Sequence, residues 1–482
     1  MRRRLSLTAA LLLTAMLAAC GSENAPAGSD NTAAPAGDTT PAETEYQLPT
    51  ADFGGRDFNI MVWQKSLITT MEETGDIVDD AIYRRNRNIE ELYNLKLKYN
   101  VVEQAKNGSQ AFGQWSSILM SSILSGDDAI QLAGTYLYGM TPFTLQGGFT
   151  NVLELPHVQY DRTWWPQNLL EAGNLGGSMY ILVGNIDPDF YGRTVAMFFN
   201  KKIAEEYKLG NLYELVRDGK WTMEKMQEMA VLAAKDIDGN AQMDEMDQYG
   251  LVIDWNRCTD SFLRTCDITI TETGKDGNPA LVGLTEKHLN LYNFLKTLIY
   301  DSGSTFHKND EITTPIFTEG RGLFAGLPML NALNFRDLDL DFGIIPYPKW
   351  DEKQESYYAH NDVGDTAGFV VPVTSDPEAA GAVLEAMAYL GWKDVLPEYY
   401  EKALKGKGTR DDESAEMLDI IYDNVRFEFT QLYSCAFGDQ KAPSMMLRMS
   451  FKNNQEISTL WASNETLFDS TMKDLIASLK NK

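Results

Sequence analysis

Apolar and polar residues alternate along this chain in two rhythms that repeatedly succeed one another. Short apolar runs bounded by polar turns predict strands at "FNIMVW" (58–63), "LKLKYNVV" (95–102), "AIQLAGTY" (129–136), "VAMFF" (195–199), "LVI" (251–253), "DFGIIPYP" (341–348) and "GFVVPV" (368–373). Between them lie stretches with helical spacing. In "DDAIYRRNRNIEELYN" the residues Ile82, Ile89, Leu92 and Tyr93 recur at that period. "AFGQWSSILMSSILSGDD" (111–128), "KKIAEEYKL" (201–209), "WTMEKMQEMAVLAAKDI" (221–237) and "DPEAAGAVLEAMAYLGW" (376–392) read as further helices. Thr222 stands in capping position for the third of these, with Lys225 where a capping box prefers Glu. "GRGLFAG" (320–326) reads as the glycine-rich start of another helix. Strand followed by helix, over and over, predicts an α/β fold with largely parallel sheets.

The first fifty residues break this pattern. Arg2, Arg3 and Arg4 precede an apolar stretch from Leu5 to Ala19, too short to span a bilayer and flanked as a secretory signal. It ends in "LAAC", Leu17 to Cys20, which resembles the lipobox of bacterial lipoproteins; that resemblance implies a diacylglyceryl thioether on Cys20, the membrane reached through the lipid alone. An ordinary signal peptide that happens to contain a Cys is the other reading. Residues 21–50 hold almost no large apolar side chain and form a tether that cannot bury enough surface to fold. About 430 residues remain, more than one core usually spans, so two lobes are expected.

Charge removes several classes. The formal charge is −27, and loss of the three arginines with the leader takes it to −30. Nucleic acid as partner needs a basic footprint that is missing here, and so does an anionic bilayer. Four histidines, His157, His288, His307 and His360, show no zinc spacing, and the sequence has no GxSxG elbow, P-loop or CxxC. Cys258 and Cys266 either pair or stay as buried thiols. A pair of glycosidase-type carboxylates among 69 acids stays open.

Five landmarks in fixed order carry a wider resemblance: "VAMFFNKKIAEEYKLG", "GKWTMEKMQEMA", "FTEGRGLFAG", "DFGIIPYP" and "GFVVPVTSDPEAAGAVLEAM". Together, behind a lipobox, they resemble the extracytoplasmic solute-binding proteins of ABC importers, the carbohydrate-carrying family 1 group. The resemblance implies two α/β lobes joined by crossing hinge strands, the periplasmic-binding-protein-like fold, with a solute enclosed by hinge closure. It implies no catalysis, a carbohydrate (an oligosaccharide foremost) as solute, ABC permease subunits as partners, a monomer, and a position outside the membrane on the lipid of Cys20. The lobes expected from it are 51–192 with 314–364, and 193–313 with 365–482. Crossings are expected near "DPDFYGRTVAMF", near residue 313 and around "HNDVGDTAG". The rivals are a surface glycoside hydrolase and a sensory or adhesive sugar-binding lipoprotein without a permease.

Ligands of open α/β sheets bind beyond the carboxyl ends of strands, which selects Trp63, Gln64, Tyr136, Tyr191, Arg193, Trp255, Asn256 and Asp365. Aromatic faces suit the C–H surface of a sugar, and planar polar groups suit its hydroxyls. Trp63 and Trp255, one per lobe, are the stacking candidates, while Trp164 and Trp165 are expected against a lobe surface. Arg193 is expected to contact ligand or to pair with Asp187 or Asp189. "DIDGNAQMDEMD" places Asp236, Asp238, Asn240, Asp244 and Asp247 at positions 1, 3, 5, 9 and 12, with the Gln242 carbonyl at 7. It resembles EF-hand-like calcium loops, with Ala241 in place of the turn glycine and Asp in place of the last Glu. A structural Ca²⁺ staple and a solvated acidic turn are the two readings.

Overall fold

The computed structural model describes residues 46–63, 67–102, 108–137, 147–438 and 440–480. The leader, Cys20, nearly all of the tether and Gln64 lie outside them. Residues 48–482 form one compact unit built on two main sheets.

The first sheet joins β1 (Arg56–Trp63), β2 (Leu95–Val102), β3 (Leu132–Tyr136) and β12 (Ala367–Val370) in the order β12-β3-β1-β2. β1 runs parallel to both neighbours, while β12 returns antiparallel with Ala367 opposite Tyr136. Helix α1 (Ile77–Tyr93) starts where the Asp76 carboxylate accepts the Val78 and Asp79 amides, and it stops at Asn94, whose φ of 48° no helix continues. Ile82, Ile89 and Tyr93 are buried, but Leu92 is 43 % exposed because it points well away from their shared face. Helix α2 (Gly108–Ser125) leads into β3.

The second sheet runs β13 (Val425–Arg426), β11 (Ala359–Asn361), β4 (Thr194–Asn200), β9 (Gly322–Pro328), β5 (Tyr249–Asp254), β8 (Thr305–Lys308), with β10 (Phe342–Ile345) also on β4. β5 is parallel to β8 and β9; β4 is antiparallel to β9, β10 and β11. A separate hairpin pairs β6 (Thr271–Thr273) with β7 (Pro279–Leu281).

Two expectations are corrected here. "GRGLFAG" does not open a helix: its residues from Gly322 onward form β9, buried along its whole length at the centre of the second sheet. Its glycines are used for close approach, since a Cβ on Gly326 would lie 2.0 Å from the buried Tyr347 hydroxyl. The division of the lobes also differs. β9, β10 and β11 fall within 314–364, assigned above to the first lobe, yet they belong to the second sheet, and β12 belongs to the first. Residue 313 is no crossing: it lies in helix α5 (Asp310–Thr318), which links β8 to β9 of one sheet. The apolar runs gave the strands but not their partners, and backbone pairing decides membership. The chain passes between sheets at 190–194, at 361–367 and again between β12 and β13.

Helix α3 (Met223–Ala233) is capped by Thr222, whose hydroxyl accepts the Lys225 amide at 3.3 Å, so the cap works without the Glu of a full box. α3 lies so close on β5 that a Cβ on Gly250 would sit 1.9 Å from the Ala230 carbonyl oxygen. Helix α6 (Pro377–Leu390), capped by Asp376, covers the first sheet beside α1. Trp164 and Trp165 are buried rather than laid on a surface, and both indoles donate at 3.1 Å to the wholly buried Glu385 of α6. Cys258 and Cys266 are free and buried at the two ends of helix α4 (Arg257–Thr265). Eight residues of helix separate them by about 12 Å, beyond the reach of a disulfide.

Replacing Gly250 with Ala is expected to lower stability by about 1–3 kcal/mol, because the clash falls on helix backbone that cannot rotate aside. An unchanged denaturant midpoint would show that α3 and β5 do not approach so closely.

Candidate ligand-binding site

The carboxyl edges of the two sheets meet where the chain crosses between them. Asn361, at the end of β11, is fully buried and stitches the crossings: its amide donates to the Phe190 carbonyl at 2.8 Å and to the Thr194 hydroxyl at 3.2 Å, and it accepts from Thr366 at 2.6 Å. The Asp362 amide donates to the Arg193 carbonyl at 3.2 Å. These bonds fix the segments that carry the charged groups.

Arg257 opens α4 directly beyond β5. Its guanidinium reaches Asp254 at 3.3 Å, Asp310 at 2.5 Å, Asp362 at 3.1 Å and Asp365 at 2.6 Å. Burial opposes the charge of Arg257, but Asp362, Asp254 and Asp365 hold it above the ordinary arginine range. Arg193 pairs with Asp189 at 2.6 Å and lies 3.7 Å from Asp365. Asp365 is raised by burial and by Asp362, against the pull of Arg257 and Arg193. Tyr136, half-buried at the end of β3, is raised to about 12 by burial and by the nearby Asp365.

Behind this network is a cavity of about 340 Å³ between α4, the 360–365 crossing and helix α7 (Met446–Lys452) with the residues before it. Arg257, Asp260 and Arg264 project into it from one face of α4, at i, i+3 and i+7. The opposite face buries Cys258, Phe262 and Cys266 in the core. Asp260 sits 3.2 Å from Arg448 of α7 and is 12 % exposed. Burial raises Asp260 to about 7; Arg448 and Arg264 oppose the rise, and Asp254 and Asp362 add to it. His360 is lowered to about 3 by burial and by Arg264 and Arg448, so it stays neutral. Arg264, lowered by burial, pairs at 3.5 Å with Glu428 and also borders an open groove of about 650 Å³ on its other side.

Of the residues selected by sequence, Arg193 and Asp365 enter the network and Asn256 lines the cavity. Tyr191 packs instead, stacked on Tyr422 with centroids 4.7 Å apart and its hydroxyl 3.0 Å from Asn185. Trp255 is half-buried, with the Lys452 amine 3.8 Å over its ring. Trp63 ends β1, its side chain outside the description, and Gln64 is wholly outside it. Arg257 and Asp362 lie at those strand ends but are not among the residues selected, and neither are Asp260, Arg264 and Arg448. The charged stripe at 257, 260 and 264 was the available signal for two of these.

In the acidic loop Asp236, Asp238 and Asp247 each bring a carboxylate oxygen within 4.8 Å of the others. Asp236 accepts the Gly239 and Ala241 amides at 2.7 and 2.9 Å, and the fully buried Asp247 accepts those of Ile237 and Asp244 at 2.8 Å. Those amides hold Asp247 below the usual carboxylate range. Ala241 adopts a φ of 62°, the left-handed turn that Gly supplies in calcium loops. The Asn240 amide donates to Asp238 at 3.0 Å and Asp244 at 3.2 Å.

No family model matches the sequence, and no curated protein does. Solved structures match it well in shape. A cyclo/maltodextrin-binding protein complexed with maltotetraose shares 12 % identity at TM-score 0.57, covering 87 % of this chain and 97 % of that one. UgpB from Mycobacterium tuberculosis, with glycerophosphocholine, shares 14 % at 0.54 over 89 % and 99 %. An ABC substrate-binding protein from Listeria monocytogenes in complex with cycloalternan shares 11 % at 0.53 over 87 % and 99 %. The chain has the two-lobe fold of ABC-importer solute-binding proteins.

Because folding raises the Asp260 pKa, its contribution to stability is full below about 4 and is lost as the pH rises through about 7. Wild type is therefore expected to lose stability between pH 5 and 7 more steeply than Asp260→Asn, by up to about 1.4 kcal/mol per pH unit. Urea midpoints across that range check this; parallel pH profiles would refute it.

Proposed function

We propose that this chain is the solute-capturing subunit of an ABC importer, held outside the membrane by lipid on Cys20, and that its solute is a carbohydrate enclosed as the lobes close. The observation that carries this reading is the polar cavity at the carboxyl edge of the second sheet, in a two-lobe solute-binding fold. Its walls offer three guanidinium groups, Arg257, Arg264 and Arg448, against the carboxyl groups of Asp260, Asp310, Asp362 and Asp365. With Asp260 titrating near 7, those charges nearly cancel, and an uncharged hydroxyl-rich solute has the best complement. The carboxylates nearest the crossing are tied to arginine, which favours binding over acid–base hydrolysis. No described helix is long and apolar enough to cross a membrane.

The test is thermal melting of the full-length chain in mild detergent against mono- and oligosaccharides, with recovery of the sugar afterwards. A ligand at a hundred times its dissociation constant adds about 2.7 kcal/mol, a shift of a few degrees. A sugar that shifts the melt and returns intact supports capture. One returned cleaved makes the protein a hydrolase, and silence across the panel removes carbohydrate.

We also propose that the 236–247 loop takes Ca²⁺ as a structural staple, supported by the convergence of Asp236, Asp238 and Asp247. Extracellular modules of this kind bind at about 10⁻⁴–10⁻³ M. Chelation is expected to lower the melting temperature while solute binding persists. A melt indifferent to both chelator and added calcium would leave an acidic turn.

A further inference from the structure

The cavity walls carry polar atoms that no described residue answers. Oδ1 of Asp260, Nε of Arg264, Oε1 of Gln431, Oε1 of Gln440, Oγ of Ser444 and Nε of Arg448 are enclosed without a hydrogen-bond partner among the described residues, and all six residues line the same space. Arg264, Gln431, Ser444 and Arg448 are 6, 6, 3 and 8 % exposed. Although Nε of Arg448 lies 3.2 Å from Asp260, it is not aligned to donate to it. A buried polar group left unsatisfied is destabilising, so six in one cavity mark a place where solvent or a solute supplies the missing bonds.

The kind of solute follows from their mixture. Two are N–H donors, three are acceptors, and the Ser444 hydroxyl is both. An anion would satisfy the arginines and meet Asp260 and the Gln431 oxygen as repulsion. An ammonium group would do the reverse. A hydroxyl donates and accepts at once, so a set of adjacent hydroxyls matches every wall. The size is also restrictive: about 340 Å³ is at the low end for small-molecule pockets, room for the end of a saccharide and not for a long chain. Among the described residues no Phe, Tyr or Trp lines the cavity, so the recognition argued from them falls on ring hydroxyls rather than on a stacked face.

We propose that this cavity receives a single uncharged polyhydroxylated ring, the terminal unit of a neutral saccharide entering end first, with Asp260 and Arg448 reading adjacent hydroxyls. This rests on the carbohydrate reading and adds an orientation and a size limit to it. A monosaccharide and its linear oligomers should bind alike, because each presents the same end. A cyclic oligosaccharide has no end to insert.

Isothermal titration of the full-length chain tests this with D-glucose, D-galactose, D-mannose and D-xylose, their linear di- and trisaccharides, and cyclodextrins. The expected result is one monosaccharide and its linear oligomers bound within about tenfold of one another, with cyclodextrins not bound. Ser444→Phe, which fills the space without removing a charge, should weaken binding at least a hundredfold. Hydrogen exchange on the wild-type protein provides a readout that no variant's folding can confuse: bound sugar should slow exchange at 257–264 and 444–448. Sugar that binds Ser444→Phe as tightly, or protects only other segments, overturns the cavity assignment and leaves carbohydrate capture standing. Cyclodextrins bound as well as linear oligomers overturn end-first entry. If no saccharide binds wild type, the inference falls together with the reading beneath it.

Discussion

One guanidinium holds the junction of this molecule together. Arg257 is within ion-pair distance of four carboxylates drawn from the end of β5, the start of α5 and the crossing to β12, and it is only 17 % exposed. Two unit charges 4 Å apart interact by about 4 kcal/mol near a protein surface, so without the cation these segments would repel. The pairing is better seen as a constraint than as a store of stability, because burying charge costs about as much as pairing returns. It dictates that the strand edge, the helix and the crossing stay in register.

That constraint orients α4. Asp254 accepts the Asn256 and Cys258 amides at 2.7 and 3.2 Å and so fastens the start of the helix to the strand before it. With the start fixed, helical period alone sends Asp260 and Arg264 to one side and Phe262 and Cys266 to the other. Burial and Asp254 together raise the Cys258 thiol well above its ordinary range, so it stays protonated and unreactive. The polar stripe on the other side can exist only because α7 brings Arg448 opposite Asp260. Arg448 and Arg264 partly offset the desolvation of a carboxyl that would otherwise be still harder to ionise.

The sequence made the elements more legible than their assembly. β1, β2, β3, β4, β5, β10, β12 and the helices at 77–93, 108–125, 223–233 and 377–390 all lie on stretches whose apolar period announces them. β9 escaped because its glycines read as the start of a helix until Tyr347 and Val252 are seen to need the space. Lobe membership was misassigned for a related reason. Period tells which residues are buried, whereas strand partners are chosen by backbone pairing across more than a hundred residues of chain. The site was legible only at strand ends, where the rule for open sheets found Arg193, Asn256 and Asp365. It favoured aromatics that the fold uses otherwise, Tyr191 against Tyr422 and Trp255 beneath Lys452.

The crossing at 361–367 serves as cavity wall and as lobe connection at once. Asp362 and Asp365 face the cavity, while Asn361 and Thr366 on either side of them are bonded into the backbone that joins the sheets. A solute bonded to those carboxylates would therefore act on the segment that joins the two sheets. A ligand shifts such an equilibrium only by its differential affinity for the two states. For the proposed capture, an uncharged solute would supply that difference by exchanging hydrogen bonds with Asp362 and Asp365, leaving in place the ion pairs that Arg257 makes with them.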